Sequence, residues 1–199
     1  MKLAEVRGQG PSPSFGRPQF LLAFMAIGSG GTVGRAALAR KAGLGEGAVR
    51  TVLKRLRSGG YARVGASGCQ LTSAGVSAYR ALRRELTDPL RIDGSRLTVG
   101  RAQAALAVRG AGHLVVNGIE QRDSAVKAGA VGATTYVIEN GKFTIPGGSS
   151  DCEADFPSPA WVSLRSKLKP RDGDAVLLCG SSEEDNATLG ALSAALTLI

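Results

Sequence analysis

Leu44-Gly45-Glu46-Gly47-Ala48-Val49-Arg50-Thr51-Val52-Leu53-Lys54-Arg55-Leu56-Arg57-Ser58-Gly59-Gly60-Tyr61-Ala62-Arg63-Val64, followed by Cys69-Gln70-Leu71-Thr72-Ser73-Ala74-Gly75, decides how the chain reads. Val49, Val52, Leu53 and Leu56 recur at three- and four-residue spacing, which predicts a helix over residues 46–57 with one apolar face. That spacing turns Arg50, Thr51, Lys54 and Arg57 outward. Ser58-Gly59-Gly60 stops the helix, and residues 61–64 and 69–71 read as two short strands joined by Gly65-Ala66-Ser67-Gly68. A basic amphipathic helix followed directly by a small hairpin can put the helix in a DNA groove and the hairpin on the neighbouring backbone.

Working outward, Gly43-Leu44-Gly45 makes a tight turn, and residues 35–42 ahead of it predict a supporting helix with Ala36, Leu38, Ala39 and Ala42 on one small apolar face. A first helix is expected over residues 18–27, with Pro18 suited to a helix start. Thr72 or Ser73 can cap a fourth, running to about residue 86 and carrying Tyr79, Leu82 and three arginines. Residues 17–86 in this order resemble the DNA-binding half of winged helix-turn-helix transcription regulators. The resemblance implies double-stranded DNA as partner, control of transcription, and a homodimer meeting two half-sites. Arg35, Arg50, Thr51, Lys54, Arg57, Arg63 and Gln70 are the expected DNA contacts, with Arg63 and Gln70 on the wing meeting backbone rather than bases. The bland alternative is a solvated basic helix face.

The charge distribution favours DNA over that alternative. The net charge of +9 is unevenly spread, because residues 1–91 hold 15 Lys+Arg against 4 Asp+Glu while residues 92–199 hold 10 against 12. A polyanion partner therefore belongs to the first part. Residues 1–16, rich in Gly, Pro and Ser, read as a flexible tail. Three widely spaced cysteines without a C-x-x-C pair fit buried thiols in a cytoplasmic protein better than disulfides or a zinc site. The apolar run over residues 20–27 is too short to span a bilayer, which needs about 20 residues, so it reads as a core helix and no membrane partner is expected.

Residues 87–95, beginning Thr87-Asp88-Pro89, read as a linker, and residues 96–199 as a small α/β domain, giving an α+β chain as a whole. Strands are expected over 104–108, 113–116 and 175–179, with a hairpin of 134–139 and 142–145 across Asn140-Gly141. Helices are expected over 119–128, 160–168 and 183–196, and residues 146–159 read as irregular. Residues 122–147 resemble uncharacterised archaeal two-domain winged-helix proteins, a likeness that names no ligand. Ala175 to Cys179 followed by Gly180-Ser181-Ser182 reads as a strand, a small-residue turn and a helix start, where bare amides could hold a small anionic metabolite. Thr134 and Thr135 are candidate neighbours in that ligand site, and the competing reading is a plain helix cap at Ser181 or Ser182.

No catalytic set, cofactor or metal site is expected. Gly43-Leu44-Gly45-Glu46-Gly47-Ala48 matches a dinucleotide fingerprint in letters, but a helix rather than a strand precedes it. His113 is the single histidine, and its strand-like surroundings predict a packed side chain. The expected function is a DNA-binding transcription regulator with a C-terminal sensing or assembly domain, and not an enzyme. The rivals are a small-molecule kinase or transferase fused to a DNA reader, and an RNA-binding or protein-assembly module.

Overall fold

The computed structural model describes residues 15–93 and 95–199, so most of the expected tail, including Arg7, lies outside the described residues. The chain divides into two compact units, Met1–Leu82 and Arg83–Ile199.

The first unit is a winged helix. Helix α1 (Arg17–Gly30) is apolar on every side, with Phe20, Leu21, Ala23, Phe24, Met25, Ala26 and Ile27 all buried, as befits a central helix. Its start is held by the Gly16 N–H donating to Gln19 Oε1 at 2.9 Å. Helix α2 (Arg35–Ala42) ends at Gly43, which adopts φ 60°, and Leu44 then buries its side chain before α3 (Glu46–Ser58) begins. Val49, Val52, Leu53 and Leu56 are the buried face of α3, as the spacing predicts. Strands β1 (Ala62–Gly65) and β2 (Gly68–Leu71) pair antiparallel, from Ala62 opposite Leu71 to Gly65 opposite Gly68.

Val33 adds a third position to this small sheet by exchanging two backbone hydrogen bonds of 2.9 Å with Cys69. A side chain at Gly68, where φ is 132°, would sit 2.7 Å from the Val33 carbonyl oxygen, so the wing can close on that segment only with glycine there. Helix α4 (Ser73–Glu85) follows, capped by Thr72, whose Oγ1 accepts from the Gly75 N–H and donates to the Gly60 carbonyl. Tyr79 of α4 lies edge-on to Phe24 with ring centroids 6.3 Å apart.

In the second unit, β3 (Leu90–Asp93), β4 (Ala102–Val108), β7 (Ala175–Ser181), β5 (Gly132–Glu139) and β6 (Lys142–Thr144) lie in that order in one sheet, every neighbouring pair antiparallel. Strands β4 and β5, linked through α5 (Ile119–Lys127), run the same way, and β7 fills the gap between them. Helices α5 and α8 (Glu184–Ala195) pack on one face. The other is covered by α6 (Cys152–Asp155) and by α7 (Ala160–Ser163), which runs into a π turn over Leu164–Leu168. With both faces covered, all seven residues of β7 are buried.

Tyr136, Phe143 and Trp161 form the centre of that second face, with centroid separations of 5.8, 5.3 and 4.9 Å. Asn140 and Gly141 take φ values of 52° and 74°, the mirror-image turn that matches strand twist. Asp174, 3% exposed, ties the unit together: it accepts from Arg109 Nη1 at 2.7 Å and from the backbone N–H groups of Gly110 and Arg171.

Three expectations change. Residues 113–116 form no strand; Gly112–Leu114 is a 3-10 turn. Leu114 and Val116 are 49% and 85% exposed, and with Gly110 and Gly118 at positive φ on either side the chain turns away from the sheet. The stretch expected to link the domains contains β3, because Leu90 and Ile92 alternate with Arg91 and Asp93, and Ile92 is buried against the Trp161 cluster. Residues 146–159 hold α6, a single turn capped by Asp151 Oδ1 accepting from the Ala154 N–H.

Candidate nucleic-acid interface

Packing of Val49, Val52, Leu53 and Leu56 leaves Arg50, Lys54 and Arg57 exposed along one side of α3. None of the three, nor exposed Arg63 on β1, makes a side-chain hydrogen bond or ion pair with the described residues. Thr51 is half-buried, and its hydroxyl donates to the Gly47 carbonyl one turn back at 3.0 Å. Arg55, on the flank, lies 5.6 Å over the Phe15 ring. On the wing, Arg63 points out because Ala62 points in, and half-buried Gln70 donates from Nε2 to Thr32 Oγ1. Arg35 is exposed in the first turn of α2, close enough to Cys69 to favour its thiolate, although burial outweighs this and pushes the thiol above its ordinary range. Both α2 and α3 begin on a glycine, Gly34 and Gly45, without a side-chain cap, and Glu46 stands in the first turn of α3 while α2 has no acidic residue there.

The residues expected to hold an anionic metabolite are not assembled into a site. Gly180 and Ser181 belong to β7 rather than to a turn, and a side chain at Gly180 would sit 1.7 Å from the Val99 carbonyl oxygen. Ser181 is buried and donates to the Gly129 carbonyl at 3.1 Å. Ser182 is exposed, and its carbonyl accepts from Arg101 Nε. Thr134 and Thr135 lie opposite Leu178 and Leu177, further along β7, and as strand neighbours they point to opposite faces. Thr134 donates to the Leu97 carbonyl, while Thr135 Oγ1 is buried without a hydrogen-bond partner. Helix α8 opens after Glu183 with Glu184 and Asp185, so carboxylates already occupy its positive end.

His113 is exposed rather than packed, because its segment leaves the sheet; its Nδ1 lies 2.9 Å from the Gly110 carbonyl oxygen. All three thiols are buried, and burial pushes Cys179 up to about 12. Groups of three or more His, Cys, Asp or Glu placed to hold a metal ion are absent among the described residues, and no described helix is long and apolar enough to cross a membrane.

Residues 99–198, from just before β4 to the end of α8, match the family described as a domain of unknown function, DUF4443. The chain belongs to that family. The DUF4443 match leaves out β3 and the winged helix, so it bears on the sheet unit alone. Over nearly the whole chain, the fold is similar to hypothetical protein PH0730 from Pyrococcus horikoshii OT3, with a TM-score of 0.73 at 23% identity, covering 93% of each chain. That likeness shows a shared fold of winged helix followed by sheet unit. A fainter one, TM-score 0.32 at 23% identity over 35% of this chain and 53% of the other, is to the Mycobacterium tuberculosis MarR family protein Rv2887, and it carries no argument. No curated protein matches the chain.

Two further cations of the first unit lie outside the expected set. Arg40 and Lys41 are exposed in the last turn of α2. The sequence carried the signal, since both fall off the Leu38 and Ala42 face of that helix.

Proposed function

We propose that the protein is a transcription regulator that sets α3 in the major groove of duplex DNA. The row of partnerless cations Arg50, Lys54 and Arg57, continued by Arg63 on the wing, carries this reading. A guanidinium with no internal partner gives up only water to meet a phosphate or a guanine edge. Arg50, nearest the start of α3, is assigned to base edges, and Arg63 to the backbone. The uncapped first turn of α2, which carries no carboxylate, suits a phosphate oxygen, which accepts from bare N–H groups at the positive end of a helix.

The protein is read as a binder without catalytic activity. In support, its thiols are buried and its one histidine meets only a backbone carbonyl. For the second unit, assembly is the favoured role over metabolite sensing, because Gly180, Ser181 and Thr134 of the expected ligand set are engaged in internal contacts.

The test is titration of labelled duplex DNA with the full chain at several salt concentrations. About four phosphate contacts per chain give a slope of log K against log salt near −4, and Lys54→Ala lowers its magnitude by about 1. A salt-independent affinity, or one unchanged when Arg50, Lys54 and Arg57 are all replaced by alanine, rejects the reading. Preference for a single-stranded RNA over every duplex favours the RNA-binding alternative.

A further inference from the structure

We propose that α5 is the seat of a two-fold homodimer, two copies of the chain pairing through the outward side of this helix in antiparallel fashion. Gln121 and Ala125 are buried, Gln121 donating to Thr197 Oγ1, so the opposite side of α5 faces solvent. Ile119, Arg122, Asp123 and Val126 share that side, all of them exposed, with Ile119 at 49% and Val126 at 48%. The stripe has apolar ends and opposite charges in the middle.

Such a stripe is complementary to itself. A two-fold axis passing between Arg122 and Asp123 puts Ile119 of one copy against Val126 of the other, and Arg122 against the second Asp123, each contact made twice. A parallel arrangement or a shift of one turn loses the charge match. Within one chain the Arg122 and Asp123 side chains do meet, but as neighbours in sequence on a helix they face poorly, and Nε and Nη2 both fall on the same oxygen, Oδ1, at 3.2 and 3.0 Å. Asp123 Oδ2 and Arg122 Nη1 remain available.

Exposed apolar side chains also flank the helix in sequence. Leu114 and Val116 precede α5, 49% and 85% exposed, and Val131 follows it at 57%. Antiparallel pairing brings the leading end of one copy towards the trailing end of the other. This extension matters because a nine-residue helix is only about 13 Å long, whereas a stable interface buries about 800 Å² per partner.

Sedimentation equilibrium of the full chain tests the proposal, and charge exchange makes it specific. The wild type sediments as a reversible dimer. Val126→Glu and Arg122→Asp each weaken the dimer by about tenfold or more while leaving the far-ultraviolet spectrum unchanged. Arg122→Asp combined with Asp123→Arg restores dimerisation, because the exchanged charges meet again across the axis. A wild type that stays monomeric to about 100 μM, well above the Kd range of stable complexes, overturns the proposal. So does a dimer indifferent to the single changes, or one that the double exchange fails to rescue.

Discussion

Arg50, Lys54, Arg57 and Arg63 of the first unit end in solvent, whereas Arg91, Arg101, Arg109, Arg122 and Arg165 of the second end on carboxylates. The same kind of side chain is thus put to two uses in one chain. An exposed ion pair is worth only about 0–1 kcal/mol, so most of the pairs in the second unit add little stability. They do cancel charge, and a polyanion finds little net attraction there. Arg50, Lys54, Arg57 and Arg63 lack such partners among the described residues, so no neighbouring carboxylate cancels their charge. Pairing, more than the count of arginines, distinguishes the two surfaces.

The contrast fails or sharpens most visibly at the pair whose carboxylate is buried, Arg109 with Asp174. Arg109→Ala removes the 2.7 Å cation partner of Asp174, which is 3% exposed and keeps only its two backbone N–H donors, and should destabilise the second unit by about 2–3 kcal/mol, read from urea unfolding. A loss under about 1 kcal/mol would place Arg109 with the surface pairs. On the unpaired side, Arg50→Ala should cost about 1–3 kcal/mol on a preferred duplex and much less on random DNA, while Arg63→Ala weakens both alike. Equal losses for both variants on both duplexes would remove the division between base and backbone contacts.

Alkaline pH gives an effect that is small near pH 9, grows with each further unit and is independent of ion pairs. Cys179 has its pKa raised from 9.0 to about 12 by burial, so the folded thiol keeps its proton where the unfolded thiol has lost it. The folded state then binds more protons, and stability should fall as pH rises from about 9 towards 12, by at most about 1.4 kcal/mol per pH unit for this thiol. Cys179→Ala should flatten that limb in pH-dependent unfolding; an unchanged slope assigns it elsewhere. The smallest expected change is Arg101→Ala, whose side chain is 79% exposed beside Glu183: stability should move by no more than about 1 kcal/mol, and duplex affinity hardly at all.

How much of this was legible in the sequence follows from the range of the physics involved. Val49 to Leu56 announced α3, and Asn140-Gly141 announced its hairpin, because helical periodicity and positive φ are local properties. Strand β3 carried its alternation openly in Leu90 to Asp93, but Pro89 and Asp88 suggested a linker, and only the partner strand β4 shows why those four residues extend. Gly180 misled for the same reason. A small-residue turn and a glycine pressed under a passing backbone look alike in sequence, and Val99, 81 positions earlier, makes the difference. For the basic face the residue types were readable, and the outward placement of Arg50, Lys54 and Arg57 followed from periodicity. Gln70 engaging Thr32 and Thr51 engaging Gly47 were not readable, since each depends on a contact partner.

The position of β7 has a consequence for how the chain acquires its shape. Since β7 lies between β4 and β5, the sheet cannot close until residues 175–181 have left the ribosome. Until then β3–β4 and β5–β6 are separate two-stranded ribbons, each with an unfilled edge, and such ribbons are marginally stable alone. Completion therefore waits on contacts distant in sequence, which makes folding slow and leaves open edges exposed to other chains meanwhile. A nascent chain halted before residue 175 would hold a finished winged helix followed by two sticky ribbons, a state in which association with the wrong partner competes with waiting for the last strand.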